Sequence, residues 1–111
     1  GSDALLQALV IAAEIGEAPL TLEVLLGVAR LRRGQACHAE AAELSALLLA
    51  HAATDQSART NAGQLEAELK ASLHPADLEA ARERGRAAAL DDAVARLLRS
   101  APAPVPADAA A

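Results

Sequence analysis

Three histidines, one cysteine and a few paired acids are the residues of this chain whose types could do chemistry if they met. Cys37 and His38 are adjacent, and His51 lies thirteen positions after His38. On one helix that spacing is nearly four turns, about 20 Å of rise, so the two histidines cannot share one ion. Zinc sites use closely paired ligands, and His74 stands alone. The expectation is therefore a small buried cysteine with surface histidines, and no metal. Ser45, His51 and Asp55 supply the residue types of a nucleophilic triad, but no nucleophile-elbow motif surrounds the serine. Glu40 with Glu43 reads as a solvated helix face and Asp91 with Asp92 as a helix cap. Acid–base work would need one of those carboxyls in a dry cleft. No glycine-rich phosphate loop is present. The chain is expected to have no catalytic residues and no cofactor, and not to be an enzyme.

Two basic clusters remain. Arg30, Arg32 and Arg33 precede Gly34, where cations complement the carbonyl end of a helix and contribute about 0.3–1 kcal/mol each. The alternative is a site for an anion or an acidic partner. Arg82, Arg84 and Arg86 surround Glu83 and Gly85. They read as a solvated face, or as a salt-sensitive contact with an acidic partner.

The elements that would position these residues follow from composition. A chain of 111 residues supports one domain. Hydrophobic residues make up 53%, yet Phe, Tyr and Trp are absent, so the core must be Leu, Val, Ile and Ala on thin, closely packed helices. Such a chain also lacks stacking platforms for bases or sugars. A net charge of −5 and a pI near 5.1 argue against a nucleic-acid partner. One cysteine cannot form an internal disulfide. No apolar run is long enough to span a membrane and no signal peptide is evident, so a cytoplasmic location is expected. Gly1-Ser2 reads as a cloning scar, and the chain is expected to be one piece of a longer protein.

Periodicity predicts an all-α chain of five to six helices. The first runs from Asp3 to Ile15, with Leu5, Leu6, Leu9, Val10, Ala13 and Ile15 on a broad apolar face, and stops at Gly16. Pro19 suits the start of a second helix carrying Leu22, Leu25, Leu26, Val28, Ala29 and Leu31. Gly34 is the expected turn into a third, from about Ala36 to Ala53. Gly27, Ala39 and Ala46 would let backbones approach closely. A fourth helix runs from Ser57 or Thr60 to Ser72, with Leu65, Leu69 and Leu73 in register and Glu66 paired with Lys70. Pro75 opens a fifth, which Gly85 is expected to end. Asp91 is the expected N-cap of a sixth, Asp92 to Ser100. Residues 1–100 would form one helical-repeat domain, and 101–111 a Pro/Ala-rich flexible tail.

Leu26-Gly27, Gly34, Ala39 and Ala46-Leu47 stand at the separations of a tetratricopeptide repeat. Glu23, Arg30 and Glu43 replace residues that are usually large and apolar in that pattern. Further on, Ala81, Gly85, Arg86, Ala87, Leu90, Asp91, Asp92, Ala93 and Val94 follow an A-x-x-x-G-R-A-L-S-x-E-E-A-V run, with one extra alanine and Asp-Asp in place of Glu-Glu. Over residues 5–99 the chain resembles the C-terminal tetratricopeptide region of large bacterial ATPase regulators with LuxR- or SARP-type DNA-binding domains. The resemblance implies a helical hairpin array closed by capping helices. It also implies a non-catalytic protein-interaction module of a transcriptional regulator, bound to a protein partner or to upstream domains of its own chain.

Val24, Gly27, Val28 and Leu31 are the expected partner-binding residues, near the floor of a concave face. Two alternatives stay open. One is self-association as a homodimer through the nearly all-apolar first helix. The other is a small-ligand pocket between helices. No direct nucleic-acid or membrane contact is expected.

Overall fold

The computed structural model describes residues 2–100. Gly1 and the tail expected at 101–111 lie outside the described residues. The chain is all-α: α1 (Ser2–Ile15), α2 (Ala18–Gly34), α3 (His38–Ala50), α4 (Gln56–Leu69), α5 (Pro75–Ala87) and α6 (Leu90–Ser100). Among the described residues there is no strand.

Local chemistry sets the helix ends, and not always where periodicity alone puts them. Gly16 takes a positive φ of 78° and its N–H bonds the Ala12 carbonyl, so α1 stops there. The turn after α2 differs from expectation. Gly34 is the last helical residue, and the left-handed position falls on Ala36, at φ 64°. Cys37 N–H reaches back to the Arg32 carbonyl at 2.8 Å, and Ala36 N–H to that of Arg33 at 3.0 Å. This paired closure is a Schellman motif with an alanine where glycine is usual. It delays α3 until His38. Asp55 caps α4 by accepting the Ala58 N–H at 2.7 Å. Pro75 opens α5, and His74 caps it by accepting the Ala76 N–H through Nδ1 at 3.1 Å. Asp91 is not an N-cap: α6 begins one residue earlier, and both aspartates sit in its first turn.

The third helix is the centre. It packs against α2, α4 and α5, and buries Ala41, Ala42, Leu44, Ala46, Leu47 and Leu48. Around it lie Leu22, Leu25 and Val28 from α2, Leu65 and Leu69 from α4, Leu78 and Ala81 from α5, and Leu97 from α6. The longest contact is between α3 and α5, so α5 lies along α3 rather than forming a hairpin with α4, its neighbour in sequence. Gly85 permits this. A methyl group there would stand 2.2 Å from the Glu43 carbonyl oxygen and 2.7 Å from Ala46 Cβ. Gly85 therefore does not end α5 as expected; it sits inside the helix at a close crossing. The last helix, α6, folds back to touch α1.

Three substitutions separate these backbone effects in thermal or urea unfolding followed by circular dichroism. Ala36→Gly should stabilise the chain by about 1 kcal/mol, because it removes the left-handed strain on an L-residue. Gly63 is mid-helix in α4 with open space around it. Gly63→Ala should stabilise by about 0.5–1 kcal/mol through helix propensity alone. Gly85→Ala carries the same propensity gain but meets backbone, and should destabilise by about 1–3 kcal/mol.

Candidate functional site

The side chains singled out for chemistry are mostly engaged in holding the backbone. Ser45 is fully buried and donates to the Ala41 carbonyl at 2.9 Å, one turn back on its own helix. His51 accepts the Ala53 N–H at 3.0 Å, and Asp55 caps α4. The triad types are thus held apart by separate local bonds. Cys37 is exposed, not buried as expected, because the turn residue that precedes α3 projects outward. His38 is half-buried rather than on the surface, and its Nδ1 is enclosed with no hydrogen-bond partner in the structure. Among the described residues no three His, Cys, Asp or Glu side chains gather as metal ligands do.

The basic clusters also have intramolecular partners. Arg30 donates to Asn61 at 3.1 Å, Arg32 to Glu40 at 3.2 Å and to Gln35 at 2.9 Å, and Arg33 pairs with Glu68 at 3.2 Å. The last turn of α2 is thereby tied to α3 and α4, and its expected anion is supplied by the chain's own carboxylates. Arg82 binds Glu66, which raises the arginine's pKa further above its ordinary value, with Glu79 adding to the effect and burial opposing it. Glu66 therefore reaches across to α5 and does not form the helical pair expected with Lys70. Arg86 is raised likewise by its hydrogen bond to Glu83, again with help from Glu79.

Glu43 is not on a solvated face. Only 16% of its side chain is exposed, and it receives Arg84 from α5 at 3.4 Å and Arg96 from α6 at 3.1 Å. Beside it opens a groove of about 340 Å³ over Leu44, Leu47, Ala88, Ala93 and Leu97, with Glu40, Glu43 and Arg96 on its rim.

Of the expected contact residues on α2, Val28 is buried and Val24, Gly27 and Leu31 are half-buried. Val28 is a core residue, 1% exposed, and Val24 packs against the core. Gly27 faces α1: a methyl group there would lie 3.0 Å from Leu5 Cδ2. Packing of α1 on α2 takes up this face at Gly27, which a hairpin considered alone would leave open. Among the described residues the exposed large apolar side chains are instead Val10, Ile11 and Ile15, all on α1. A second groove, of about 320 Å³, runs where Ala13, Gly16, Ala18 and Thr21 meet Leu90, Asp91, Val94, Ala95 and Leu98 of α6.

Sequence reasoning missed Arg59. Its guanidinium donates to the carbonyls of Leu49 and His51, each at 2.8 Å, and of Thr54 at 3.1 Å. It closes the carbonyl end of α3 from the first turns of α4. A cation near the positive end of its own helix is electrostatically misplaced, and that anomaly was the available signal. Compared with known proteins, the chain matches no family model, no curated protein and no solved structure.

Arg59→Ala should lower stability by about 2 kcal/mol, since a charged donor leaves three carbonyls. Arg59→Lys should recover only part, because an ammonium cannot reproduce the planar fork. Urea unfolding measures both, and equal stability of all three chains would refute the capping role.

Proposed function

We propose that this chain is a non-catalytic protein-interaction and regulatory module. In this reading it is the tetratricopeptide-like C-terminal end of a multidomain bacterial transcriptional regulator, working in the cytoplasm. The observation that carries the reading is the outward face of α1. Val10, Ile11 and Ile15 are all exposed on it, while its other side packs on α2. A helix in a stacked array has such a face when the preceding element is missing, because each repeat buries its apolar side only against its neighbours. The sequence run from Ala81 to Val94 supports the placement at the closing end of an array.

The test is to read the natural frame upstream of Asp3 and to produce the chain with the segment it encodes. Nucleotide-binding motifs upstream are expected, together with slower amide exchange along α1 in the longer chain. A frame that opens at Asp3, or exchange on α1 that stays the same, would refute the reading.

The same helix favours a second reading, self-association. Ala4, Ala8, Ile11 and Ile15 recur at spacings of four, three and four, which places them along one seam of α1. Sedimentation velocity over a range of concentrations should then show a dimer that Ile11→Glu with Ile15→Glu abolishes. A monomer at every concentration removes this reading.

A further inference from the structure

We propose that the groove between α1, the start of α2 and α6 docks a basic amphipathic helix of another protein. The inference rests on the interaction-module reading and names the face and the chemistry of the partner. The groove floor is aliphatic, made of Ala13, Ala18, Leu90, Val94 and Leu98. Its volume of about 320 Å³ suits aliphatic side chains projecting from one face of a helix.

Charge selects the occupant. Asp91 lines the groove, and Glu17 lies between two lining residues, Gly16 and Ala18. Glu14 and Asp92 flank it in sequence. All four are exposed, and among the described residues none has an ion-pair partner, nor does Glu17 cap α2 with its side chain. Elsewhere among the described residues most acids are paired: Glu40, Glu43, Glu66, Glu68, Glu79 and Glu83 each hold an arginine, while Glu23, Asp55 and Asp77 stand apart from one another without an ion pair. The sequence of α1 contains no Lys or Arg. On α6, Arg96 turns to Glu43, which leaves Arg99, next to the lining residue Leu98, as a single cation beside four carboxylates. The end of the molecule formed by α1 and α6 is therefore apolar and electronegative. A second copy would bring the same carboxylates, on a chain of net charge −5, against themselves. A helix with aliphatic residues at i, i+3 or i+4 and Lys or Arg on its flanks fills the floor and neutralises the rim.

The test titrates the full chain into two labelled model helices of identical pattern, one Leu/Lys and one Leu/Glu. The chain has no aromatic residue, so the label reports the peptide alone. The Leu/Lys helix should bind saturably, and amide shift changes should centre on Ala13, Ala18, Leu90, Val94 and Leu98. Glu17→Lys with Asp91→Lys changes two exposed residues, and circular dichroism checks that the variant keeps its helices. This variant should weaken binding about tenfold, and added salt should weaken it for the original chain. The Leu/Glu helix should not bind. The proposal is overturned by shift changes on another face, by affinity indifferent to the charge reversal, or by no binding. Changes confined to Ile11 and Ile15 that grow with chain concentration would point to a second copy and also overturn it. None of these outcomes touches the module reading, which stands or falls on the upstream segment and on exchange in α1.

Discussion

The fold depends on one close crossing. At Gly85 the backbone of α5 comes so near α3 that there is no room for a single methyl group between Gly85 and the Glu43 carbonyl. Small residues at the contact, Ala46 and the buried Ala81, let the helices meet backbone to backbone. Two further features follow. The first is the position of Arg84, one residue before Gly85, which the crossing brings to Glu43. The second is the route of the chain beyond α5, which carries α6 past the same carboxylate and back to α1.

The lack of aromatic rings makes this geometry necessary. Leucine and alanine bury less area per residue than Phe or Trp, and burying one leucine contributes about 1.5–3 kcal/mol. A core of such side chains gains density only if the helices sit close. The largest fully buried side chains, Leu9, Leu22, Leu25, Leu48 and Leu69, come from α1 through α4. The contact with α5 adds one buried leucine, Leu78, to Ala81 and Gly85. Arginine does what packing leaves undone. Arg32, Arg33, Arg82, Arg84 and Arg96 each join two helices through a carboxylate, and Arg59 closes the end of a third. Several of these pairs are partly exposed and individually weak. Their effect is to fix which face of each helix turns inward.

Because the cations are concentrated around α2 to α5, the α1–α6 end of the molecule keeps carboxylates and aliphatic surface. The residues that looked chemical in isolation serve the backbone: Ser45 by bonding back along α3, Asp55 and His74 by capping helix starts, His51 by holding the turn after α3.

The sequence by itself determined the helical class, a count of five to six helices and the approximate place of each. Those depend on local signals: aliphatic spacing, Pro19 and Pro75 at helix starts, Gly16 at a stop. It also exposed the apolar character of α1. Tertiary structure alone decided the partner of each charge and the role of each glycine. Gly85 reads in sequence as a helix breaker, yet it is a contact point, because only the approach of α3 supplies the reason for having no side chain. Gly34 reads as the turn, yet the closure of α2 onto its own carbonyls moves that place to Ala36. Val24, Gly27, Val28 and Leu31 read as an open face, and the packing of α1 and the core takes up much of it. Glu43 reads as a surface acid, and two helices distant in sequence convert it into a shared anchor. Spacing along the chain encodes which residues share a helix face; what that face meets depends on contacts between residues far apart in sequence, and no local pattern records them.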